Sequence, residues 1–168
     1  MSDSAPTIVW FRADLRVADN PALFEASRGD KPVIGLYILD DETPGEWRIG
    51  GAAKWWLHHS LVTLEQSLAK IGGALVLRQG NAADILAEVV RETNAGKVYW
   101  NRCYEPFTIK RDKGIKETLV DQGVEAKSFN GSLLFEPWTI ETKAGGFYKV
   151  YTRYWLTCRD KGTPAPPL

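Results

Sequence analysis

The sequence predicts an α/β fold, a doubly wound five-stranded parallel sheet in the order 3-2-1-4-5 with helices on both faces. Three observations lead there. Five strand-like runs alternate along the chain with four helical ones, and parallel strands need a crossover of that kind to return to the same edge. The first run, Ile8-Val9-Trp10-Phe11, is apolar without polar alternation, which marks a strand covered on both faces and therefore the centre of the sheet. A chain of 168 residues is also the size of one ordinary domain, long enough to bury a real core.

The first strand stops at three charges, Arg12, Asp14 and Arg16, and Asn20-Pro21 then supplies an N-cap oxygen and a proline at the first helical position of about 21–28. Charges at a partly buried strand end must be paired. Either Asp14 bridges Arg12 or Arg16 to hold the turn, or the group contacts a ligand, and both can hold together. After the turn Gly29-Asp30-Lys31-Pro32, residues 33–39 form the second strand, ending at Asp40-Asp41-Glu42. A loop through Trp47 to Gly51 precedes a long helix to about Lys70. Its stripe Ala53, Trp56, Leu57, Leu61, Leu64, Leu68 and Ile71 has helical spacing and is expected to pack on the sheet. Gly72-Gly73 closes that helix, residues 74–78 form the third strand, and Asn81 caps a helix to about Thr93. The fourth strand is 97–100, a helix of about 106–122 follows, and the fifth strand is 124–129. Beyond Asn130 the pattern lapses into loops with a short helix at 151–159, and 162–168 reads as a proline-rich linker toward a further domain. The resulting division is a disordered leader at 1–6, the α/β domain at 7–130, and an extension with the start of a linker at 131–168.

Lys plus Arg and Asp plus Glu are both 21, so the formal net charge is zero. A free-standing nucleic-acid binder carries a basic excess to neutralise phosphates, so this stretch is not expected to grip DNA by itself. There is no bilayer-length apolar run and no signal-peptide pattern, which makes the cytoplasm the expected location. Cys103 and Cys158 form no C-x-x-C pair and read as reduced thiols. The seven tryptophans include several beside polar or glycine residues, where they can line a cleft for a flat ring.

In an open α/β sheet the ligand crevice lies outside the carboxyl ends of the strands, where the strand order reverses. Here that places Phe11 and Arg12 beside Asn101, Cys103 and Glu105. No G-x-G-x-x-G follows the first strand and no G-x-x-x-x-G-K-[ST] occurs, so the usual dinucleotide and triphosphate loops are missing. Glu105, before Pro106, either satisfies a helix N-terminus or accepts two parallel N–H bonds from an amidine-like heterocycle edge such as a pterin's. Trp47, Trp55 and Trp56 cluster after the glycine loop, each open to a ring-stacking or a core role. His58 and His59 point about 100° apart on a helix, a poor geometry for shared metal ligation. No nucleophile-base pair stands out among Ser60, Ser67 and Cys103.

Three separated motifs in order carry a resemblance to a known family: W-F-R-A-D-L-R with D-N-P-A-L (from Trp10), Y-W-N-R-C-Y-E-P (Tyr99 to Pro106) with K-R-D (Lys110 to Asp112), and F-Y-K-V-Y-T-R-Y-W (Phe147 to Trp155). The chain resembles the DNA photolyase and cryptochrome family, and the run from Gly50 to Leu61 is similar to a photolyase branch close to plant cryptochromes. Ala13 departs from a usual polar or basic residue, and Arg153 stands where many members carry proline. The resemblance implies the amino-terminal Rossmann-like α/β domain of a DNA photolyase, housing a light-harvesting antenna chromophore. A separate carboxy-terminal helical domain, absent from these residues, is implied to hold catalytic FAD and to repair pyrimidine dimers in damaged DNA under blue light. No catalytic residue is expected in this stretch, which alone is expected to be inactive, and no metal is implied. The antenna is implied to be methenyltetrahydrofolate, with deazaflavin or a second flavin as alternatives, and its site is expected at Phe11, Arg12, Trp47, Trp55, Trp56, Asn101, Cys103 and Glu105. Two other functions compete: the same domain of a blue-light signalling cryptochrome, and a stand-alone nucleotide-binding module.

Overall fold

A computed structural model describes residues 5–164 and 166–168. Its elements in order are β1 (Thr7–Phe11), α1 (Pro21–Ser27), β2 (Val33–Leu39), α2 (Gly51–Ala69), β3 (Leu75–Gln79), α3 (Ala82–Thr93), β4 (Lys97–Asn101), α4 (Pro106–Asp121), β5 (Glu125–Phe129) and α5 (Tyr151–Asp160), with single 3-10 turns at Gly45–Trp47 and Pro137–Thr139. Every strand pair is parallel and the order is β3-β2-β1-β4-β5, as the sequence predicts. Val9 of β1 sits in register with Gly35 on one side and Tyr99 on the other.

Alternation of side chains across the sheet divides the core in two. Ile8 and Trp10 face α3 and α4, packing with Leu36, Leu86, Trp100, Ile115 and Leu119. Val9 and Phe11 face α1 and α2, packing with Leu23, Leu64, Leu68 and Tyr99. All five residues of β1 are buried, the pattern a central strand requires. Glycine is needed at Gly35 for space: a Cβ there would lie 2.9 Å from the Ala74 carbonyl and 3.2 Å from Leu68.

The expected stripe of α2 is corrected by the structure. Only Leu64 and Leu68 are buried, Leu57 and Leu61 are half-buried, and Ala53, Trp56 and Ile71 are exposed. A 19-residue helix is about 28 Å long, whereas the seven residues of β2 span about 23 Å. The helix runs back antiparallel to the strands, so its first turns extend past their carboxyl ends with no sheet beneath them, and Ile71 falls beyond its other end.

The chain divides into two compact units, one running to Gly131 and one comprising Ser132–Leu168. Residues 1–4 of the expected leader lie outside the described residues, and the Pro6 carbonyl accepts the Gly96 N–H at 3.2 Å. In the second unit the Thr157 hydroxyl donates to the Tyr148 oxygen at 2.9 Å, and the Lys161 ammonium donates to the Thr139 carbonyl. No helix among the described residues is long and apolar enough to cross a membrane.

Candidate functional site

The turn after β1 is built around a buried carboxylate. Asp14 accepts the Arg12 N–H at 2.9 Å, the Asn101 amide at 2.6 Å and the Asn20 amide at 3.2 Å. The two guanidiniums that the sequence offered as its partners point elsewhere. Arg12 stands on the same face as Trp10, two residues back, lies 4.7 Å from the centre of its ring, and pairs with Asp112 and the Asn101 carbonyl. Arg16 donates to the carbonyls of Asp19 at 2.8 Å and Gly131 at 2.6 Å. Amides satisfy Asp14 because the end of β4 and the start of α1 both converge on it.

Asn101, expected to touch a ligand, belongs to this knot. It is 3% exposed, donates also to the Asn20 side-chain oxygen at 2.8 Å, and accepts the Ala22 N–H at 3.2 Å. Its side chain is fully committed inside the protein. Phe11 is likewise sealed in the core at 0% exposure.

Above the knot, at the carboxyl ends of the strands, a cavity of about 600 Å³ opens between the starts of α2 and α4. Of the residues singled out in the sequence, Arg12, Trp56, Cys103 and Glu105 line it. Trp47 and Trp55 do not: Trp47 is exposed on its 3-10 turn, and Trp55 is exposed with its ring 4.4 Å from that of His59. Trp56 is 70% exposed and offers the cavity an open indole face. His58 and His59 are both on the surface, and no cluster of potential metal ligands occurs among the described residues.

The walls also carry residues that the sequence reading passed over. Arg111 lies 4.9 Å from the centre of the Trp10 ring, 3.5 Å from Asp40 and 2.9 Å from Asp112, so Asp112 joins it to Arg12. The signal was spacing, because Glu105, Thr108 and Arg111 are three residues apart on one helix face. Burial alone would raise Asp40, but hydrogen bonds from the Thr43 hydroxyl and from the backbone of Thr43, Glu42 and Ala82 hold it below the usual carboxylate value. Tyr37 is pushed up to about 12 by burial and by the nearby Asp41 charge, so it stays a neutral donor. Burial also raises the Cys103 thiol, reinforced by Asp112, Glu105 and Asp14 and opposed by Arg12. A neutral thiol is a poor nucleophile and a weak acceptor.

Glu105 differs from the other carboxylates of the wall. Asp40 faces Arg111, and Asp41 faces Lys54 at 2.5 Å. Glu105 sits at the N-cap of α4 without capping it, accepts one hydrogen bond from the Thr108 hydroxyl at 3.0 Å, and makes no ion pair among the described residues. It therefore has acceptor capacity free at the cavity surface.

A parallel sheet with a roomy crevice at its switch point, no phosphate loop and one uncommitted carboxylate makes this an α/β domain with a candidate ligand site. Residues 7–168 match the family model described as DNA photolyase, and the chain belongs to that family. It is 47% identical over 98% of its length to the deoxyribodipyrimidine photo-lyase of Agrobacterium fabrum, and 40% identical over 92% to cryptochrome-2 of Arabidopsis thaliana. The crystal structure of a bacterial class III photolyase from Agrobacterium tumefaciens superposes with a TM-score of 0.91 at 46% identity, over 99% of this chain. The chain spans 34% of each of those two photolyases and 25% of that cryptochrome.

Proposed function

We propose that this chain is the amino-terminal, antenna-binding domain of a DNA photolyase, and that its cavity takes methenyltetrahydrofolate as the light-harvesting chromophore. In the complete protein a carboxy-terminal helical domain would hold FAD and use the collected energy to repair pyrimidine dimers in damaged DNA. No residue of this chain is assigned a catalytic part.

The carrying observation is Glu105, a carboxylate with no ion partner among the described residues, on the wall of a cavity of about 600 Å³. A pterin ring presents a ring N–H and an amino group along one edge, and a carboxylate accepts both together at about 1.5 to 3 kcal/mol for each charged hydrogen bond. Trp56 supplies an indole face for the ring, and Tyr37 a neutral hydroxyl. Deazaflavin-binding members often carry aspartate where Cys103 stands, and the neutral thiol is a weak replacement, which favours folate. Photolyase is preferred to a signalling cryptochrome on the 47% identity to a photo-lyase.

The test is reconstitution of the complete protein with methenyltetrahydrofolate, a deazaflavin and FMN, read by absorption and excitation spectra. Selective folate uptake that Glu105→Gln weakens by about tenfold or more is expected. Selective deazaflavin or FMN uptake overturns the antenna assignment. Blue-light repair of dimer-containing DNA by the complete protein separates photolyase from cryptochrome.

A further inference from the structure

We propose that the guanidiniums of Arg12 and Arg111 keep the buried indole of Trp10 from giving an electron to the excited chromophore of this cavity, so that absorbed light is not lost at that part of the wall. The proposal rests on the antenna reading above.

An indole is readily oxidised, and a light-excited heteroaromatic ring beside one takes an electron from it. Here that step would move one electron from Trp10 to the excited chromophore, leaving an indole radical cation and a one-electron-reduced chromophore, with no bond made or broken. Return of the electron restores both ground states and turns the absorbed photon into heat. An antenna site with an indole in its wall works only if that indole is hard to oxidise. Trp10 occupies such a position, lining the cavity while only 1% exposed.

Two separate features oppose its oxidation. The Cζ of Arg12 lies 4.7 Å and that of Arg111 4.9 Å from the centre of the Trp10 ring. A positive charge formed on the ring would meet two like charges, and a like charge at that range disfavours the charged form of its neighbour. Asp112 pairs with both guanidiniums and Asp40 lies 3.5 Å from Arg111, which fixes the two cations in place while tempering their field. The second feature concerns the proton. The Trp10 Nε1–H is buried and has no acceptor among the described residues. An oxidised indole is stabilised by passing that proton to an acceptor, and without one the radical keeps its whole charge in a buried place, where an unpaired charge is most unfavourable. Trp56, on the same wall and 70% exposed, has no cation at its ring among the described residues and lacks both protections.

The test uses the complete protein loaded with methenyltetrahydrofolate, on a Trp56→Phe background that keeps a ring face at the cavity and leaves Trp10 as the one indole lining it among the described residues. The excited-state lifetime of the bound chromophore is followed by time-resolved emission. Transfer to the flavin shortens every lifetime alike, so the comparison among variants stands. Arg111→Met should shorten the lifetime by at least about twofold, Arg111→Lys should keep the parent value, and Trp10→Phe added to Arg111→Met should restore it. Restoration separates loss of protection from a displaced ligand, which Trp10→Phe would not correct. Where Arg111→Met releases the chromophore, Arg111→Gln carries the same test, and because only bound chromophore is read, weaker uptake does not imitate a shorter lifetime. A lifetime unchanged by loss of the Arg111 charge, or a shortening that Trp10→Phe leaves in place, overturns the protection of Trp10 alone. Failure of the unsubstituted protein to take up the folate overturns the antenna reading and this proposal with it.

Discussion

Asn101 joins three segments through one side chain: Asp14 in the turn after β1, and Asn20 and Ala22 at the start of α1. Asn101→Ala would strand the Asp14 carboxylate and the Ala22 N–H in a buried place, so a loss of about 2 to 4 kcal/mol is expected, measured by urea denaturation. Sequence alone could not tell Asn101 from a ligand contact, because a polar residue at a central strand's carboxyl end looks the same in both roles until its partners, 79 to 87 residues away in the chain, are placed. Glu105 was legible as a double possibility, and the observed Thr108 contact leaves acceptor capacity for the ligand role. At the opposite end of the sheet, Glu125 has its pKa lowered from 4.5 to about 2, chiefly by the hydrogen bond from Lys127 and then by those from Tyr99 and Lys97. A depressed carboxylate contributes stability that is present above pH 4.5 and lost as pH falls toward 2. The charges are partly exposed, so the effect should be modest and salt-sensitive. Glu125→Gln is expected to flatten the acid limb of a stability profile between those pH values, and an unchanged limb would show that the cluster contributes nothing.

At the level of elements, helical period and punctuation were legible, while what lies under each face was not. Pro21 after Asn20 and Asn81 before α3 mark helix starts whose N–H groups those asparagines accept. For α2 the repeat in the sequence is real, but a period says nothing about whether a sheet lies beneath it. Comparing about 28 Å of helix with about 23 Å of strand would have revealed the overhang. The overhang carries Trp56 to the cavity instead of the core. Consequently Trp56→Ala should change stability by no more than about 0.5 kcal/mol, whereas Leu68→Ala, one residue from the other end of the helix and 3% exposed, should cost about 2 to 5 kcal/mol. Urea midpoints of the two variants check this, and comparable losses would return Trp56 to a packing role.

At the scale of the molecule, the parallel sheet and its order followed from alternating elements and from an unbroken apolar first strand, and the motifs quoted above pointed to the same family. Charge bears on what such a domain does in isolation. Lysine plus arginine balances aspartate plus glutamate at 21 each, and the guanidiniums at the carboxyl end of the sheet are already committed, Arg12 to Asp112, Arg111 to Asp40 and Asp112, and Arg16 to two carbonyls. DNA binding without sequence readout comes from cations that displace counterions from phosphates, and six to ten such contacts weaken it by about 10³ to 10⁵ between 50 and 200 mM salt. A surface with no basic excess has little to displace them with. These 168 residues are therefore expected to show no measurable association with a duplex oligonucleotide at micromolar protein and 150 mM salt, with or without a pyrimidine dimer, and no light-dependent repair. Electrophoretic mobility shift and a repair assay on the same preparation check both statements. Submicromolar, steeply salt-dependent binding by this chain would mean that its exposed lysines, Lys110, Lys113 and Lys116 of α4 among them, form a phosphate-reading face that the overall charge balance conceals.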